Sequence, residues 1–188
     1  FYLTGGTCLH RFISPHRYSD DLDFFTSDSS LFREYIREIS SQFKMRGLGL
    51  KTQVDTRDFF RLNINNTLKV DYVNDRVFRY GKTEKSPEGY KIDNIDNLLA
   101  NKVTAVIGRD DPKDLFDIIT INEIKKIDWN FILSIAFKKT HFERDYLVYR
   151  IQSFPKELFD NLALIDKNDL QTYKDCIPNL IKKMEEII

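Results

Sequence analysis

The chain is short of cysteine. Its 188 residues hold two, Cys8 and Cys176. That is too few for a disulfide framework, and a reducing, cytoplasmic setting is the expectation. Histidine is sparse as well, and His10, His16 and His141 are too scattered to make a zinc set. Net charge is absent, because 29 Lys and Arg balance 29 Asp and Glu. This excludes a uniformly basic coat for nucleic acid and an acidic tail. There is no uncharged apolar run long enough to span a bilayer, no signal peptide and no internal repeat. A leading methionine is missing too; the chain opens at Phe1 inside an apolar run and reads as a fragment without its own N-terminus.

What is present is globular. Hydrophobic residues are 41% and charged residues 31% of the chain, and 15 Phe with 9 Tyr are enough for a substantial core. The first half mixes strands and helices. Short strands are expected at Phe1–Thr4, Asp21–Phe25, Leu50–Thr56, Phe59–Ile64 and Leu68–Val73, with a turn at Asn65-Asn66. A helix is expected from Leu31 to Phe43, where Leu31, Tyr35, Ile39 and Phe43 recur at helical spacing behind Ser29-Ser30. Residues 81–89 read as a loop. From about Ile95 the pattern is helical, with Asp111-Pro112 opening one helix and Pro178 interrupting or kinking the last. The expected division is a core over 1–94 and a helical region over 95–188.

Two strands carry chemistry. In Asp21-Leu22-Asp23-Phe24, alternation sends Asp21 and Asp23 to one face and Leu22 and Phe24 to the other. Two carboxylates so close repel unless a cation joins them. Oxygen-only donors suit Mg²⁺, with Mn²⁺ as a substitute. Asp71, centred in Leu68-Lys69-Val70-Asp71-Tyr72-Val73, shares a face with Lys69 and Val73. By itself it reads as an edge-strand residue facing water. With Asp21 and Asp23 it completes a three-carboxylate set of the kind that holds two metals for in-line phosphoryl transfer. The turn Leu3-Thr4-Gly5-Gly6-Thr7 puts a glycine pair and a hydroxyl at a helix start, where backbone N–H groups can meet an anion. It is neither a Walker A loop nor a dinucleotide fingerprint.

Together the Gly5-Gly6-Thr7 turn, the Asp21-Leu22-Asp23 strand and Asp71 resemble the polymerase-β type of nucleotidyltransferase. The wording Leu3-Thr4-Gly5-Gly6-Thr7-Cys8-Leu9-His10, followed by Arg17-x-Ser19-x-Asp21-Leu22-Asp23-Phe24, is similar to the AbiEii toxin family of that superfamily. A second block, Lys102-x-x-Ala105-x-x-x-Arg109 then Lys113-Asp114-Leu115-Phe116-Asp117-Ile118, resembles the family's helical Lys…Arg…Lys-Asp-x-x-Asp motif.

The resemblance implies an α+β fold, with a small mixed sheet, flanking helices and a helical C-terminal region. It implies transfer of a nucleoside monophosphate from an NTP to an acceptor, with tRNA 3′ ends as the acceptor in characterised relatives. It also implies a toxin role in a type IV toxin–antitoxin or abortive phage infection system, with the antitoxin a separate chain. The residues it marks are Asp21, Asp23 and Asp71 for metal and catalysis and Lys102 for catalysis. For nucleotide binding it marks Gly5, Gly6, Thr7, Arg17, Ser19, Arg109, Asp114 and Asp117. Arg17 is expected to brace the aspartates. Asp114 and Asp117 have the alternative of capping a helix and pairing with Arg109 or Lys113. Two other functions stay open: an antibiotic nucleotidyltransferase acting on an aminoglycoside hydroxyl, and a nucleotide-binding relative without turnover.

Overall fold

The computed structural model describes residues 1–186, which fall into two units. The first comprises residues 1–8, 19–77 and 83–93. The second comprises 9–18, 78–82 and the described residues from 94 on. The main division thus falls beside residue 94, and two short earlier segments group with the helical part.

The first unit is built on one mixed sheet. Its strands are β1 (Tyr2–Thr4), β2 (Asp21–Ser27), β3 (Leu50–Asp55), β4 (Phe59–Ile64), β5 (Leu68–Asp75), β6 (Glu84–Lys85) and β7 (Lys91–Ile92), in the order β3-β4-β5-β2-β1-β7-β6. β6 and β7 lie in or next to the stretch that reads as a loop, and each is only two residues long, below what a sequence pattern can register. Asn65 and Asn66 both take positive φ, at 52° and 58°. They are the central residues of a turn in the three-residue β4–β5 loop, closed by the Thr67 amide on the Ile64 carbonyl, and Asn tolerates that conformation.

Alternation sorts the sheet into two faces. On one, Phe60, Leu62, Val70 and Tyr72 are buried with Phe32 and Ile36 of helix α2 (Phe32–Met45). Phe24 stacks on Tyr72 with ring centroids 5.6 Å apart. α2 starts where the Ser29 hydroxyl accepts from the Leu31 amide. It ends in a Schellman turn: the Leu48 amide reaches the Phe43 carbonyl, the Gly47 amide reaches that of Lys44, and Gly47 takes φ +75°. The opposite face of the sheet is polar and carries the candidate site.

Helix α1 (Gly5–Phe12) leads from β1 into the second unit. That unit contains α3 (Ile95–Gly108), α4 (Pro112–Ile124), α5 (Trp129–Lys139), α6 (Arg144–Gln152) and α7 (Leu170–Glu185). Asn94, Asp111 and Asp128 cap α3, α4 and α5 through their side chains, and Pro112 sits at the first turn of α4. α7 runs through Pro178 instead of stopping there. Leu99, Leu115, Phe116, Ile118, Ile132, Ile151 and Phe159 form the centre of this core. No described helix is long and apolar enough to cross a membrane.

Candidate active site

Three carboxylates share the polar face of the sheet. β2 and β5 are parallel neighbours, with Asp21 in register with Lys69 and Asp23 in register with Asp71. Two cross-strand rows result. One is Arg61–Asp71–Asp23–Thr4, and the other is Lys51–Asn63–Lys69–Asp21. Adjacent strands lie about 4.8 Å apart, so Asp23 and Asp71 are direct neighbours and Asp21 lies one side chain along. β5 is an interior strand and Asp71 is 6% exposed, so it is not the water-facing edge residue that its sequence context allowed.

The glycine turn is shaped around Asp23. Gly5 has φ +69°, and a Cβ there would stand 2.3 Å from Asp23 Oδ2. Only a residue without a side chain lets that carboxylate lie against the start of α1. Gly6 follows, buried. The Thr7 hydroxyl donates to the Asp21 main-chain carbonyl, tying the first turn of α1 to β2. The Thr4 hydroxyl donates to Asp93 at 2.9 Å. Ser19 is half-buried, two residues ahead of Asp21. Cys8 is fully buried, and burial pushes its thiol up to about 12, which removes it as a nucleophile near neutral pH.

Arg61 and Lys69 both meet these carboxylates. Arg61 forks onto Asp71, with Nε to Oδ1 and Nη2 to Oδ2, both 2.7 Å. Those hydrogen bonds raise the guanidinium's pKa above its ordinary value. Its plane also lies over the Phe59 ring, 5.2 Å from the centroid. Lys69 Nζ is 2.5 Å from Asp21 Oδ2. Neither cation was singled out from sequence as functional, although Lys69 shares the face of Asp71 by simple alternation. Arg61 carried no signal, because its partner is set by the β4–β5 hairpin register.

Among the described residues, no three acidic, histidine or cysteine side chains converge as a metal cage. The donor set nevertheless fits Mg²⁺. That ion is commonly held by one or two carboxylates together with substrate phosphates and water, without an all-protein cage. Asp21 and Asp23 on one strand face, with Asp23 cradled by Gly5, offer such a half-site. Two clefts of about 570 and 300 Å³ open beside α2 and Phe1, and neither is lined by these carboxylates.

The second sequence block forms a buried ionic cluster within the helical unit. Asp117, with 0% of its side chain exposed, receives Arg17 Nε and Nη2 at 2.8 Å each, Lys102 Nζ at 2.7 Å and His10 Nε2 at 2.8 Å. Asp114 receives Lys102 Nζ at 2.9 Å and Arg109 Nε at 2.6 Å. Burial alone would raise Asp117, but the Lys102 charge and the His10 and Arg17 hydrogen bonds hold it far below the usual carboxylate range. Burial alone would lower Lys102, but Asp117 and Asp114 together hold it above the ordinary lysine value. Arg17 therefore braces Asp117, not Asp21 and Asp23. Asp114 keeps the Arg109 partner expected for a first-turn acid. Arg109, with 60% of its side chain exposed, is the open rim of the cluster.

The crystal structure of JHP933 from Helicobacter pylori superposes on 98% of this chain and 85% of its own, with a TM-score of 0.55 and 20% identity. That level of likeness speaks to the fold alone. MenT4, a nucleotidyltransferase toxin from Mycobacterium tuberculosis H37Rv, covers 85% of this chain and 56% of its own at 15% identity and a TM-score of 0.49, too low to add to the argument. No curated protein matches the chain. The family model described as nucleotidyl transferase AbiEii toxin, type IV toxin–antitoxin system, matches residues 1–183. With its α+β fold, the chain belongs to the AbiEii family of nucleotidyltransferase toxins.

Proposed function

We propose that this nucleotidyltransferase moves a nucleoside monophosphate from an NTP onto an RNA hydroxyl, with the 3′ end of tRNA as acceptor, and that Asp21, Asp23 and Asp71 are its chemical centre. The observation that carries the reading is the cross-strand placement of the three carboxylates on one polar sheet face beside Gly5. Asp21 and Asp23 would hold Mg²⁺, or Mn²⁺ in its place, and Asp71 would complete the set. Such an ion, when bound, neutralises charge on the phosphates as pyrophosphate leaves.

The chain's own residues do the positioning. Gly5 and Gly6 let the NTP phosphates approach the backbone at the start of α1, and Ser19 adds a hydroxyl close to β2. Thr7 keeps Asp21 in place through its main-chain carbonyl. Asp71 orients the acceptor hydroxyl, while Arg61 holds its carboxylate at a fixed angle. In the helical unit, Arg109 is the exposed cation offered to phosphate, and Lys102 is held between Asp114 and Asp117 behind it. Asp114 and Asp117, with Arg17, keep them extended and ordered.

The acceptor, the cytoplasmic site of action, the role in abortive phage infection and the separate antitoxin are supported by the family alone. The test is incubation with each labelled NTP and either total tRNA or an aminoglycoside. Label is expected in tRNA, and it should fall to background in Asp21→Ala and Asp23→Ala variants that remain folded. Label in the aminoglycoside, or undiminished labelling by either variant, overturns the reading.

A further inference from the structure

We propose that Lys69 is a built-in counter-ion which occupies Asp21 when no divalent cation is present and transfers its ammonium to Asn63 when one arrives. The inference rests on the reading of Asp21 as a metal ligand and adds the residues that time its availability.

Three observations carry it. First, Lys69 Nζ lies 2.5 Å from Asp21 Oδ2. That oxygen has to give up the ammonium before it can hold a metal, and the same lysine would repel a metal held on either oxygen if it stayed. Second, the Lys69 contact is looser than the Arg61 contact on the same face. It is a single point-charge pair with 33% and 30% of the side chains exposed. Arg61 instead grips both oxygens of Asp71, whose side chain is 9% exposed, and rests on Phe59. A bidentate guanidinium stacked on a ring stays in place, whereas a lysine on a flexible four-carbon stem can move.

Third, an acceptor stands ready for it. Asn63 is the direct cross-strand partner of Lys69 in the β4–β5 pair, and its Oδ1 is buried with no hydrogen-bond partner among the described residues. A buried acceptor left unpaired is costly, so a second state that satisfies it is favoured by that amount. Directly opposed side chains in an antiparallel pair have Cβ atoms about 4.5–5.5 Å apart, well within the reach of lysine. Lys69 thus has two acceptors in one row, Asp21 on β2 and Asn63 on β4. In the metal-free protein it neutralises the aspartate. With the cation bound, it neutralises nothing and instead fills the empty hydrogen bond.

The test is a Mn²⁺ titration of the metal-free protein without NTP, with the free ion followed by electron paramagnetic resonance. Lys69→Met removes the competitor and should tighten Mn²⁺ binding about three- to fivefold, the size that a half-exposed ion pair supports. Lys69→Gln serves the same purpose if the methionine variant does not fold. Asn63→Leu removes the second resting place and should weaken binding about threefold, and that effect should vanish in the Lys69→Met background. Binding unaltered by Asn63→Leu, or a weakening that persists at full size without Lys69, overturns the proposal while leaving the metal reading intact. If Asp21→Ala binds Mn²⁺ as tightly as the parent, the metal reading fails and the proposal falls with it.

Discussion

At the scale of single residues, Gly5 is the most constrained position of the site. It needs a left-handed backbone, and it needs to lack a Cβ because Asp23 occupies that space. The first requirement alone costs an L-residue about 1–2 kcal/mol. The second forces the carboxylate to move, and a misplacement of about 1 Å in a reacting group can cost about a hundredfold in rate. Gly5→Ala is therefore expected to lower nucleotide transfer by two orders of magnitude or more, with a drop of only a few degrees in melting temperature. Parallel activity and thermal-melt measurements check the pair of outcomes. A variant that melts as the parent does and transfers at the parental rate contradicts the cradle.

At the scale of elements, the decisive one is α4. Its first turn is set by local chemistry: the Asp111 side chain accepts from the Lys113 amide at 3.0 Å and Pro112 follows the cap. Asp111→Ala should cost about 1 kcal/mol, read as a shift in the urea midpoint. One turn further in, Asp117 is a buried acid surrounded by Lys102, Arg17 and His10. Removing one partner of such a cluster leaves the others uncompensated, and Asp117→Asn should cost about 3–5 kcal/mol at neutral pH. The sign with pH follows from its lowered pKa. The stability from Asp117 is complete above about pH 4, the ordinary carboxylate value, and is lost as the pH falls below that toward the folded value. The Asn variant should therefore lose less stability than the parent between pH 5 and pH 3. Urea unfolding at both pH values measures it, and equal losses would remove Asp117 from the acid limb.

At the scale of the whole molecule, the balance of 29 acids and 29 bases bears on RNA. Much of that charge is spent internally, with Lys102, Arg17 and Arg61 engaged by Asp114, Asp117 and Asp71. Those cations are held by their carboxylates and do not displace counter-ions from a nucleic acid, and the zero net charge leaves the rest of the bases matched by acids. A tRNA complex should then show a shallow salt dependence, with log Kd changing by about 2–4 per tenfold salt, whereas a protein making 6–10 phosphate contacts shows a slope of about 5–9. Filter binding over 50 to 200 mM salt tests this. A slope steeper than about 6 would mean a basic surface that the zero net charge conceals.

What the sequence by itself determined is local. Alternation told that Asp21 and Asp23 share a face and that Asp71 shares one with Lys69, because a strand has a period of two wherever it sits; the β2–β5 register put those faces together. Capping chemistry told where α4 starts, because Asp111 and Pro112 act on their own neighbours. The family wording of the two blocks was likewise readable in order along the chain. What only the tertiary structure decided is who pairs with whom. Arg17 meets Asp117 across 100 residues, Lys69 meets Asp21 instead of its chain neighbour Asp71, and Asn63 Oδ1 is left without a hydrogen-bond partner among the described residues. The reason is physical. A charge finds its counter-charge by strand register and helix packing, which bring distant residues within 3 Å, and sequence spacing carries no information about those distances. Sequence could therefore list the acids of the site but not Arg61 or Lys69, and the fold chose the pairs.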